Sequence, residues 1–191
     1  MGREVYGRHP KSGNILIMIF TELPLKGAWL ITPEPSEDER GFFARTFDAE
    51  QMAARGMETG VVQTSIACNK KKGTLRGMHY QAAPHEEAKY VQCVRGAVYD
   101  VIIDLRPDSP THKQWHGMEL TQDNHRLLYV PKGIAHGYLT LTDGAELHYS
   151  MNVAFVPAAS KGVRWNDPAF NITWPEKPKV ISGKDAGYCS F

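Results

Sequence analysis

Cysteine is scarce in this chain. Cys68, Cys93 and Cys189 are the only three in 191 residues. Odd in number and widely spaced, they fit neither a disulfide framework nor a zinc site and point to a reducing compartment. Long apolar runs are missing too. The longest near the start runs only from Ile15 to Phe20, too short for a signal-peptide core or a membrane span, so the expected location is the cytoplasm. Net charge is nearly absent, since 22 Lys and Arg against 21 Asp and Glu leave +1. Bulk electrostatics therefore recruits neither nucleic acid nor membrane, and any phosphate recognition has to be local. No internal repeat or low-complexity linker is present, which makes one domain the simplest organisation. The polar stretch before Ile15 has no periodicity. Residues 1–17 are expected to be an extension or leader ahead of a start at Met18, with a single domain over 18–191.

What is present is a series of short strands between turn residues, at the spacing of an antiparallel sandwich or barrel. Strands are expected at Tyr90–Val94, Val98–Leu105, Gly117–Leu120, Leu127–Val130, Ala135–Leu141 and Ala145–Val153. In the second of these, Tyr99, Val101, Ile103 and Leu105 alternate with Val98, Asp100, Ile102 and Asp104, a half-buried pattern. One short helix is expected, capped by Asp48 with Gln51 three residues on and closed by Gly56. The tail from Pro175 reads as irregular until something anchors it.

The densest chemistry lies in Gly73-Thr74-Leu75-Arg76-Gly77-Met78-His79-Tyr80-Gln81. Strand side chains alternate faces, so Arg76 and His79, three apart, point oppositely unless Gly77 permits a bulge. With that bulge, an oxyanion-binding fork and a base that titrates near working pH converge on one ligand. The same nine residues also fit a hairpin with one structural ion pair and a satisfied histidine.

A second signal is Pro131-Lys132-Gly133-Ile134-Ala135-His136-Gly137, a turn leading into a strand with an early His, as recurs in double-stranded β-helix, or cupin, proteins. Metal-binding cupins pair it with His-x-His, but here the sequence is His79-Tyr80-Gln81. No metal is therefore expected, and His136 is read as an anion ligand or a structural histidine.

From about Phe20 to Asp185 the chain resembles the nucleotide-sugar 4-keto-hexose epimerases, typified by dTDP-4-dehydrorhamnose 3,5-epimerase. The resemblance rests on these two runs together with Asp38-Glu39-Arg40-Gly41-Phe42-Phe43, Gly96-Ala97-Val98-Tyr99-Asp100-Val101, Asp104-Leu105-Arg106, Ser109-Pro110-Thr111, Trp165-Asn166-Asp167-Pro168 and Ser182-Gly183-Lys184-Asp185-Ala186. It implies an all-β cupin jelly roll with a short outer helix, assembled as a homodimer, acting on a nucleotide-diphosphate 4-keto sugar in deoxysugar or surface-polysaccharide synthesis without cofactor or metal. The reaction implied is proton removal beside a ketone and reprotonation from the opposite face. By the same resemblance His79 is the base, Asp185 its partner, Tyr149 the acid and Lys89 the cation at the keto oxygen. Arg76 and His136 grip the pyrophosphate, and Gln63 and Arg40 line the nucleotide side.

The chain departs from the family pattern in places. Where bifunctional members carry a second tyrosine, six residues after the acid, this chain has Phe155; the ring is kept for packing on the sugar and the hydroxyl is lost. A single-centre epimerase thus stands beside the 3,5-epimerase reading, and a non-catalytic sugar-nucleotide-binding cupin is the reading from another class. Ala44-Arg45 replaces the family's x-Glu, and Gln63-Thr64-Ser65-Ile66-Ala67 keeps only the Gln of Gln-x-Asn-x-Ser, so a carrier other than thymidine is also open.

Overall fold

The computed structural model describes residues 17–191; most of the expected leader, 1–17, lies outside them. Fourteen strands, two short helices and a single 3₁₀ turn make up the regular structure of the described residues. The first six-stranded sheet contains β1 (Met18–Glu22), β2 (Trp29–Pro33), β5 (Gln63–Asn69), β7 (Lys89–Arg95), β10 (Leu127–Val130) and β12 (Ala145–Met151), in the order β1-β2-β10-β7-β12-β5. The second contains β6 (Thr74–Gln81), β8 (Ala97–Asp104), β9 (Trp115–Thr121), β11 (Ile134–Thr140), β13 (Ser160–Gly162) and β14 (Val180–Ile181). Its order is β13-β6-β11-β8-β9, with β14 added in parallel to β6. Strands β3 (Ser36–Asp38) and β4 (Gly41–Phe43) form a separate hairpin.

The two large sheets face each other. Val91, Cys93, Leu128, Val130 and Leu147 from the first meet Val98, Ile102, Leu120 and Ile134 from the second in one buried cluster. This is the sandwich expected from the strand spacing, and the resemblance to the epimerases implies its jelly-roll form. The outer face of the first sheet is sealed by Met52 of α1 (Ala49–Ala53), which packs with Phe20, Tyr90 and Tyr129. The helix starts where the sequence places it, with the Asp48 carboxylate accepting from the Gln51 amide at 3.2 Å, and Gly56 follows it at φ +75°.

The half-buried reading of β8 needs correction. All of Asp100–Asp104 is buried, because the outer face of the strand is also covered. Val101 and Ile103 pack beneath Val163 and Phe170, with Ile172 and Trp174 at the margin. The polar members of the alternation, Asp100 and Asp104, are both fully buried and carry ion-pair partners. The tail is anchored as well. Lys179 and Val180 donate to the Gly73 carbonyl at 2.8 and 3.1 Å, and α2 (Gly183–Ala186), capped by Ser182, returns Asp185 to β6.

Candidate active site

Between the sheets opens a cavity of about 700 Å³. Arg76 and His79 of β6 and His136 and Tyr138 of β11 line one wall. Gln63 and Ser65 of β5, Lys89 and Val91 of β7, and Leu147 and Tyr149 of β12 line the other. Phe155, just beyond β12, is also at its rim, about half exposed. The expected site residues thus line the cavity, except Asp185, which reaches it through His79, and Arg40. Arg40 does not line the cavity of this chain. It sits at the turn of the β3–β4 hairpin, where Nη2 and Nε bond the Asp38 carboxylate.

Arg76 and His79 reach one cavity because β6 bulges between them. His79 pairs with His136 and Arg76 with Tyr138, so Gly77 and Met78 together oppose Gly137 alone. An extra residue on one strand re-aims the side chains beyond it. Gly77 adopts φ +132°, and a Cβ there would lie 2.6 Å from Gly137 Cα. Only glycine fits.

His79 Nε2 lies 2.7 Å from Asp185 Oδ1, while Asp185 Oδ2 accepts the Gly77 amide at 3.2 Å. Burial alone would raise the Asp185 carboxyl. The His79 hydrogen bond and charge, the Gly77 amide and Ser182 outweigh it and hold the group below the usual carboxylate value. Asp185 therefore accepts the Nε2 proton and leaves Nδ1 as the ring nitrogen with a lone pair.

A second histidine–carboxylate pair lies deeper. His136 Nε2 meets Asp100 Oδ2 at 2.9 Å, with Asp100 wholly buried. Burial pushes the Asp100 carboxyl up, and the neighbouring His136 only partly offsets this. Arg76 Nε donates to Asn69 Oδ1 at 2.8 Å, which fixes the plane of its fork. Tyr138, buried against Asn69, has its hydroxyl pushed up to about 12 by desolvation and stays neutral. Sequence reasoning passed over Tyr138, although a residue two beyond His136 on one strand must share its face. Gln81, where a metal-binding cupin carries its second His, ties down the segment leading to Phe155. Its Oε1 accepts the Val156 amide at 2.6 Å and its Nε2 donates to the Ala154 carbonyl at 3.3 Å. Among the described residues, no group of three or more His, Cys, Asp or Glu could hold a metal ion.

A family model described as dTDP-4-dehydrorhamnose 3,5-epimerase matches residues 22–191. The chain belongs to the dTDP-4-dehydrorhamnose 3,5-epimerase family. It is 38% identical over 169 residues to the dTDP-4-dehydrorhamnose 3,5-epimerase of Shigella flexneri, covering 88% of this chain and 92% of that one. It is likewise 38% identical over 164 residues to a dTDP-4-dehydrorhamnose 3-epimerase of Streptomyces niveus, covering 85% and 79%. The solved dTDP-4-dehydrorhamnose 3,5-epimerase of Bacillus anthracis, with TDP and PPi bound, superposes with a TM-score of 0.88 at 38% identity, over 91% of this chain and 99% of that one. Members of this epimerase family are isomerases built on the cupin jelly roll, and the expected family, enzyme class and fold are borne out. Both two-centre and one-centre epimerases occur among the relatives.

Proposed function

We propose that residues 18–191 form the catalytic domain of an epimerase for a nucleotide-diphosphate 4-keto-6-deoxy sugar, working in the cytoplasm as a homodimer. The observation that carries this reading is the placement of His79 and Tyr149 on opposite sheets across one cavity. Epimerisation beside a ketone needs that arrangement. A base removes the C–H proton from one face, the electron pair delocalises into the ketone as an enolate, and an acid returns a proton from the other face. His79 Nδ1 takes the proton, and Asp185 orients the ring and stabilises the imidazolium. Tyr149 delivers the new proton. Lys89, whose ammonium is buried beside the base, meets the negative charge that develops on the keto oxygen. Arg76 and His136, on the same wall, hold the diphosphate, and Gln63 lies toward the nucleotide.

Phe155 favours a one-centre reaction. Its amide donates to Gln63 Oε1 at 2.7 Å, so the ring is held at the rim of the cavity, yet it brings no hydroxyl. C3 is the expected centre. Dimerisation is supported by β1, which ends the first sheet and pairs with β2 alone among the described strands; an edge of this kind is usually covered.

The test is incubation with 4-keto-6-deoxyhexoses on thymidine, cytidine and guanosine diphosphate carriers in deuterated water, each C–H position being followed by NMR. Deuterium enters C3 with inversion, and C5 lags. Absence of incorporation from every carrier would leave only a sugar-nucleotide-binding role. Equal incorporation and inversion at both carbons would make the enzyme a full 3,5-epimerase.

A further inference from the structure

Two charged side chains that line the cavity, Glu87 and Lys184, have no role in the proposed reaction. Glu87 precedes β7 by two residues, and its Oε1 lies 2.6 Å from Lys89 Nζ. Both side chains are more than nine-tenths buried, and both line the cavity. Burying two charges costs more desolvation than their attraction commonly returns. Fold stability therefore gives no reason for an ion pair here.

We propose that Glu87 is a positioning residue that fixes the Lys89 ammonium for the developing oxyanion, an inference that rests on the proposed role of Lys89 at the keto oxygen. An ammonium has three N–H donors. In Lys89 one meets Glu87, and a second faces the His79 carbonyl at 3.5 Å. The third is left for a ligand in the cavity. Glu87 is itself held. The Ala88 amide donates to Asn152 Oδ1 at 2.8 Å, and the Asn152 amide donates to the Ala88 carbonyl at 3.2 Å. Ala88 is buried against the outer core. The chain entering β7 is thereby clamped to the segment leaving β12, and the carboxylate has a fixed base. A lysine stem is flexible, and small misplacements of a reacting group cost rate steeply. A fixed counter-charge removes that freedom without occupying every donor.

The experiment measures kcat and KM for wild type, Glu87→Gln, Lys89→Met and the double variant with the best substrate of the carrier panel. Melting curves and dTDP affinity are recorded for each. Glu87→Gln lowers kcat roughly 10- to 100-fold, with KM and dTDP affinity within about threefold of wild type. On the Lys89→Met background it has no further effect, because Glu87 acts through that side chain. Glu87→Asp, its carboxylate withdrawn by one methylene, gives an intermediate kcat and carries the comparison if Glu87→Gln does not fold. Wild-type kcat in Glu87→Gln, or an equal loss with and without Lys89, overturns the inference. So does a loss confined to KM. Wild-type kcat in Lys89→Met overturns the reading of Lys89 as well, so the two failures are distinguishable.

Discussion

His79 and Asp185 come from distant parts of the sequence, 106 residues apart, and the contact between them joins chemistry to stability. A carboxylate whose folded pKa is depressed binds its proton less readily in the native state than in the unfolded chain. The contribution of Asp185 is therefore fully present above the unfolded value of about 4 and is lost as pH falls through the lower folded one. Asp185→Asn should lower the melting temperature at pH 7, and the deficit against wild type should shrink as the pH is taken below about 4. Paired thermal melts at pH 7 and pH 3 check this. A deficit of constant size would show that shape rather than charge holds the tail in place. At pH 7 the same variant should lose activity, because the amide no longer compels the ring to present Nδ1 as the base.

At the scale of elements, the β6 bulge matters most. It turns a strand that would separate Arg76 and His79 into one that presents both, and it depends on Gly77. Gly77→Ala combines an unfavourable φ with a Cβ 2.6 Å from backbone. A cost of about 1–3 kcal/mol in stability is expected, with a larger loss of activity, since His79 shifts with the strand. Urea unfolding together with kcat measures both. Full activity at wild-type stability would mean that the bulge relocates freely. In the sequence the bulge is one of two open readings, raised by a glycine between an arginine and a histidine three residues apart. Leu127–Val130 and the Asp48 cap were legible for local reasons. The second covered face of β8 was not, because the residues that cover it, Val163 to Trp174, lie in segments with little regular structure. The buried Glu87–Lys89 pair was equally hidden, since charge in a sequence ordinarily means exposure. Arg40 illustrates the reverse. Its motif was recognisable, but in the single chain its guanidinium turns to Asp38.

For the whole molecule, the arrangement divides the work between two walls. The second sheet carries the proposed base, His79, and the side chains proposed to hold the diphosphate, and the first carries the proposed acid, Tyr149, and the proposed cation, Lys89. Packing of the two sheets through one shared core sets their separation, so the cavity is a property of the sandwich rather than of any loop. The edge of β1, without a second partner among the described strands, and the exposed Phe42 and Phe43 of the β3–β4 hairpin lie outside this arrangement. A dimer is expected in sedimentation at micromolar protein, and a clean monomer would contradict the proposed assembly. The central claim, that a proton leaves toward one sheet and returns from the other, is tested most directly by measuring solvent deuterium exchange and inversion together in His79→Ala and Tyr149→Phe. Loss of the base should cost about 10²- to 10⁴-fold in both readouts. Tyr149→Phe should retain exchange, since His79 can still remove and return a proton on its own face, while inversion slows. Exchange in His79→Ala within threefold of wild type, or equal loss of exchange and inversion in Tyr149→Phe, would contradict the account.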